Sequence, residues 1–208
     1  MTAEVFTVIG DLVGSRSVPD RPAVQRALAA SLDEVNRLVP VAQPFQPTVG
    51  DEYQGACAKL ADAVLAALLV RLSLLPLVDA RCGIGHGQVT VHDPDRTPLL
   101  QDGPGWWSAR AAIEALDGRR DGTCTWFAGP GAGGVNAFLL CRDQIIARLN
   151  ERGLRILRLA LLGHPQKEIA ELEGIWPSAV SQQFTRTIGA VVESMRTLGT
   201  GPPPEAGR

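Results

Sequence analysis

Cysteine and histidine are scarce and scattered. Cys57, Cys82, Cys124 and Cys141 form no C-x-x-C pair, and only three histidines accompany them. That excludes a zinc module of the usual spacing. The thiols read as small apolar residues in a reduced compartment. Lysine is nearly missing, with Lys59 and Lys167 standing against 18 arginines. The formal net charge is −2, so the chain is no polycation that would coat nucleic acid. Neither part is strongly basic: residues 1–149 hold 13 basic and 16 acidic groups, residues 150–208 hold 7 and 6. Any nucleic-acid contact must therefore come from local placement. The longest apolar stretch, Ala61–Leu77, is broken by Asp62, Arg71 and Pro76, which is wrong for a membrane span. Asp11 interrupts the early apolar run, so no secretory leader is expected and the chain reads as cytoplasmic.

What remains is a folded composition, 45% hydrophobic and 20% charged over 208 residues. That suits one large domain, or a medium one and a small one. Val5–Ile9 predicts a strand, and Pro22–Val39 a helix from its spacing of Val24, Leu28, Leu32, Val35 and Leu38. Phe45–Val49 and Tyr53–Ala58 predict strands meeting in a tight hairpin. Ala61–Leu75 predicts an apolar helix. Asp79–Gly85 and Gln88–His92 predict two strands, Trp106–Leu116 a helix and Thr123–Ala128 a strand. The class is α+β, a mostly antiparallel sheet covered by helices. We expect a first domain over residues 1–133, a linking helix over 134–149, an all-α domain over 150–198 and a disordered tail over 199–208.

Two motifs stand out in the first domain. Gly10-Asp11-Leu12-Val13-Gly14-Ser15-Arg16 and Thr48-Val49-Gly50-Asp51-Glu52-Tyr53 each put an acid beside glycine at a strand end. Two such carboxylates can converge on one metal ion with open positions for phosphate. Plainer readings exist. Asp11 would cap a turn, Asp51-Glu52 would be hairpin chemistry, and Arg110 would pair with an acid on its own helix. Trp106-Trp107 would serve core or dimer packing, or form a base-stacking platform.

The second domain reads as a helix-turn-helix over Gln166–Phe184. Ala170 supplies the small residue of the first helix, Gly174 the turn and Val180 the aliphatic of the second helix. Ser178 would cap that helix. Ser181, Gln182, Thr185 and Arg186 would face duplex DNA. The phrase resembles many bacterial transcription regulators, although Glu173 stands at a usually apolar position and Trp176-Pro177 replaces the commoner polar turn. The other reading is a helical hairpin for packing or dimerisation.

The motif series continues with Ala80-Arg81-Cys82-Gly83-Ile84-Gly85-His86-Gly87, Asp102-Gly103-Pro104 and Ala109-Arg110-Ala111. Followed by the helix-turn-helix, it resembles the SatD family of bacterial proteins. More distantly, the first three motifs are similar to class III nucleotidyl cyclases, GGDEF enzymes and GTP cyclohydrolase III. The resemblance implies a ferredoxin-like palm. It also implies Mg²⁺ or Mn²⁺ bound by Asp11 and Asp51, with Glu52 as an alternative ligand. A purine nucleotide would lie over Gly14, Ser15, Arg16 and Gly50, with Arg110 at the ribose and transition state. The cyclase Asn four residues before that arginine is Trp106 here, and no purine-selecting lysine is evident.

Three function classes follow. The leading one is a DNA-binding regulator, a homodimer whose palm binds a purine nucleotide with metal. Another is a cyclase-like or cyclohydrolase-like enzyme, which the missing Asn disfavours. The third is a scaffold that binds no nucleotide.

Overall fold

Pairing between two long strands organises the first part of the chain. The computed structural model describes residues 2–93 and 95–200 and divides into two compact units, Met1–Ala147 and Arg148–Arg208. The first unit runs β1 (Thr2–Val13), a 3-10 turn (Ser15–Ser17), α1 (Arg21–Leu38), β2 (Val41–Pro47), β3 (Tyr53–Cys57) and α2 (Leu60–Leu74). It continues with β4 (Asp79–Asp93), β5 (Leu100–Asp102), α3 (Pro104–Glu114), β6 (Thr125–Ala128) and α4 (Ala132–Ile146). The sheet order is β2-β3-β1-β4-β5, and β6 also pairs with β4. Among the described residues, only the β4–β6 pairing is parallel.

Residue alternation decides which helix covers which face. On one face Val5 and Ile9 of β1 join Trp106, Ala109 and Ile113 of α3 in a buried cluster. Thr7 lies between them and donates its hydroxyl to the Gly105 carbonyl at 2.7 Å. Val8, Leu12 and Ile84 are buried on the other face, where α1 and α2 pack together. Asp20 caps α1 by accepting from the Ala23 amide. Helix-borne amides close two strand edges. Asn36 of α1 bonds both ways with Phe45 of β2, and Asn136 of α4 does the same with Phe127 of β6. Such closure leaves less bare backbone for another strand to pair with.

Several expected elements differ. The two strands expected over Asp79–Gly85 and Gln88–His92 are one strand, β4. Its glycines suggested a break, but they lie under a helix. A Cβ on Gly83 would sit 2.2 Å from the Ala109 carbonyl, and one on Gly85 2.2 Å from the Ala109 amide nitrogen. α3 thus rests on the strand backbone to backbone. β5 was not expected from the sequence. The helix expected as a link over 134–149 is α4, and it falls inside the first unit. α4 carries Asp143, which is fully buried and accepts from the Cys124 and Thr125 amides. Arg142 bonds Asp143 and the Thr125 hydroxyl, and Arg71 of α2 reaches Asp79 at 2.7 Å.

The second unit contains α5 (Glu151–Leu161), α6 (Gln166–Glu173), α7 (Pro177–Gln183), a π-helical segment (Phe184–Ile188) and α8 (Gly189–Thr200). Ile156, Leu157, Ile169, Ala170, Val180, Ile188 and Val191 are buried in it. Gly174 ends α6 in the left-handed conformation, φ 63°. Glu173, at its unexpected position, is held by Arg155 at 2.8 Å. The second helix of the expected helix-turn-helix, α7, passes at Phe184 into the π segment, which continues into α8. Ser178 does not cap α7: Trp176 is the N-cap residue, and no side chain bonds there. Residues 201–208 of the expected tail lie outside the described residues. Among those described, no helix is long and apolar enough to cross a membrane.

Candidate functional site

The pairing of β1 carries Asp11 and the hairpin to one end of the sheet. Gly10 pairs with Tyr53 on one side, so the turn holding Asp51 and Glu52 lies beside Asp11–Ser15. The hairpin closes through Thr48 N–H to the Glu52 carbonyl, 2.9 Å. Gly50 takes a positive φ of 69° there, which favours glycine. Gly14, φ 68°, opens the 3-10 turn after β1. The Ser15 hydroxyl donates to an Asp51 carboxylate oxygen. The two sequence motifs therefore meet through Ser15 and Asp51. The turn's own amides are partly spent, since Ser17 N–H bonds back to Gly14 and Val18 N–H to Ser15. The Arg16 side chain lies outside the described residues.

Each expected acid already has a partner. Asp11 pairs across the sheet with Arg81, which grips both carboxylate oxygens, Nε to Oδ1 at 2.8 Å and Nη2 to Oδ2 at 3.0 Å. Nη1 of the same guanidinium reaches Asp117 at 2.6 Å. Asp11's hydrogen bond, against partial burial, holds the Arg81 pKa above its ordinary value. Glu52 takes Arg110 of α3 at 3.2 and 3.3 Å. Arg110 thus faces the site and does not pair with an acid on its own helix. Among the described residues no three His, Cys, Asp or Glu side chains gather to hold a metal. Arg81 was missed as a site residue by sequence reasoning. Its signal is the register itself, which places it opposite Asp11.

Behind the Asp11–Arg81 pair opens a cleft of about 380 Å³. Asp79, Arg119, Thr123 and Cys124 line it together with Gly14. Trp106, at the position of the cyclase Asn, is 8% exposed and belongs to the core under α3. Its neighbour Trp107 is 61% exposed and donates its indole N–H to Asp102 at 2.7 Å.

A profile of the SatD family matches residues 5–128, from β1 to the end of β6. The chain belongs to the SatD family. The match stops before the second unit, so the family likeness covers less of the chain than its motifs suggested. No curated protein matches significantly. Among solved structures, a bacterial light-regulated adenylyl cyclase aligns at 16% identity and TM-score 0.50, over 66% of this chain and 81% of that one. A second structure of a bacterial light-regulated adenylyl cyclase aligns at 13% and 0.49, over 61% of this chain and 43% of that one. A guanylyl cyclase aligns at 14% and 0.43, over 55% and 71%. The SatD-family chain spans less than half the length of the longer adenylyl cyclase. At these identities the likeness concerns the fold alone, a palm of α+β class.

In the second unit of this SatD-family chain, Ser178, Ser181, Gln182, Thr185 and Arg186 are all exposed. The first four share the spacing of one helical face. The Thr185 hydroxyl bonds back to the Ser181 carbonyl at 3.0 Å.

Proposed function

We propose that the palm binds a purine nucleoside triphosphate with Mg²⁺ or Mn²⁺ at the Asp11–Ser15–Asp51 end of its sheet and processes it. The observation that carries this reading is the meeting of the two motifs through the Ser15–Asp51 bond. The donor chemistry fits. Asp11 and Asp51 are hard oxygen ligands, and Mg²⁺ needs only one or two protein carboxylates because phosphate and water fill its other positions. A bound cation would neutralise phosphate charge and polarise the reacting phosphorus.

The chain's own residues do the rest. Ser15 orients Asp51, and Glu52 holds Arg110 at the site's edge as its positioning partner. Arg110 is then available to developing phosphate charge. Trp106 has no amide to steer a ribose hydroxyl and is buried under α3, which counts against cyclisation.

Thermal melts with GTP and ATP, with and without Mg²⁺, test binding. A ligand at a hundred times its Kd stabilises by about 2.7 kcal/mol. Asp11→Asn and Asp51→Asn should each abolish the Mg²⁺-dependent shift without loss of fold, and unchanged shifts in both variants sink the reading. Chromatography of the products then separates cyclic nucleotide from ring-opened or hydrolysed product.

A second reading makes the chain a nucleotide-responsive regulator that acts as a homodimer. The exposed face from Ser178 to Arg186 on α7 and the π segment favours it. Arg186→Ala should weaken binding to every duplex and flatten its salt dependence. Gln182→Ala should relax preference at one base pair by about 1–3 kcal/mol. Wild-type protein that shifts no DNA at low salt, with or without nucleotide, removes the DNA role. Light scattering that reports a monomer at micromolar concentration removes the dimer.

A further inference from the structure

Arg81 has no place in the reading above, yet it makes the most complete ionic contact at the site. It satisfies both oxygens of Asp11 and is held from the far side by Asp117. The Asp11 side chain is 22% exposed and that of Arg81 30%, so the pair is screened only in part by water. A carboxylate whose two oxygens both accept from one guanidinium is a strong, geometrically specific pair. Each oxygen keeps a second lone pair, but a divalent ion there would sit beside the guanidinium's positive charge. A divalent ion that takes the lone pairs now used by Arg81 displaces those bonds. Asp117, with its side chain 64% exposed, keeps the freed guanidinium at the rim, where it remains charged and able to pair with an anion.

We propose that Arg81 is a resident counter-ion of the metal site. It occupies Asp11 while the site is empty, and it moves to the phosphates when metal and nucleotide arrive together. This rests on the reading that Asp11 is a metal ligand. No covalent bond is made or broken: hydrogen bonds from the guanidinium to Asp11 give way to metal–oxygen coordination, and the guanidinium's hydrogen bonds pass to phosphate. The cation replaces the guanidinium at Asp11, and the phosphate replaces Asp11 at the guanidinium. The consequence is coupling. Metal without nucleotide competes against Arg81, whereas metal with nucleotide gives Arg81 a new partner, and each ligand therefore tightens the other.

Arg81 acts here as a positioning residue, and the test reads binding, not turnover. Mn²⁺ alone is titrated into the full-length protein and followed by its electron paramagnetic resonance signal. Arg81→Gln should tighten nucleotide-free Mn²⁺ binding by about fivefold, the factor that loss of a modest ion pair is worth. Arg81→Lys should stay nearer wild type, because a cation still opposes the metal. Asp117→Asn leaves the Asp11 pair in place and should not tighten binding. Removal of a merely structural arginine would loosen the site, so the direction of the change discriminates.

If Asp11→Asn loses Mn²⁺ while Arg81→Gln binds it no better than wild type, the site stands and the counter-ion role is wrong. If Asp11→Asn binds Mn²⁺ as wild type does, or neither binds it, the metal reading itself falls and the counter-ion role falls with it. Circular dichroism of each variant confirms that the fold is retained.

Discussion

Burial pushes the thiols of Cys57, Cys82 and Cys124 up to about 12 from an ordinary value near 9. A thiol reacts as its thiolate, so these three should be inert in the folded protein at pH 8. Cys141 is exposed. Iodoacetamide on native protein should label Cys141 alone, and all four after denaturation. Mass spectrometry that finds Cys57 or Cys82 labelled in the native state contradicts the burial. The same shifts set an alkaline limit. A raised folded-state pKa stabilises fully below about pH 9 and loses that contribution as the pH climbs through about 12. Asp11 and Asp51 could be picked out in advance because strand-end acids next to glycine have a recognisable chemistry. Arg81 could not, since its role depends on which residue of β4 stands opposite Asp11, and an isolated strand does not reveal its register. The Arg155 partner of Glu173 escaped notice for a similar reason, lying 18 residues away in sequence.

Helices announced themselves by periodicity. α1 falls within a residue of where the apolar spacing puts it. β4 did not, because glycine in sequence suggests a turn, whereas here it makes room for α3. That docking gives a direct test. Gly85→Ala would place a methyl 2.2 Å from the Ala109 nitrogen and 2.3 Å from the Gly105 carbonyl. The substitution should cost about 1–3 kcal/mol or more, by the usual scale of overpacking. Urea denaturation that shows a loss below about 0.5 kcal/mol would mean the helix rides higher than the structure places it. β5 and the inward face of α4 were hidden for different reasons. β5 has three residues, too few to show a period. α4 buries Asn136, Arg142 and Asp143, polar residues that sequence patterning assigns to solvent. They are inside because β6 needs its free edge satisfied.

Two compact units joined near residue 148 predict where the chain will be cut. Residues 147–150 carry no helix or strand, and Arg148 is exposed. Brief trypsin treatment should cleave after Arg148 early and leave a palm fragment that still melts cooperatively. First cuts inside α2 or β4, after Arg71 or Arg81, would argue against the palm as a self-sufficient body. The family match, confined to residues 5–128, lies within that body, short of α4, and covers none of the other. The seat of α3 on Gly83 and Gly85 has a genetic consequence as well. When a core side chain grows too large, a neighbour can usually shrink to make room. Here the obstruction would be main chain, the carbonyls and amides of Gly105, Ala109 and Ile113, which no codon change can trim. A screen for second-site suppressors of a Gly83 or Gly85 substitution should therefore return true revertants and little else.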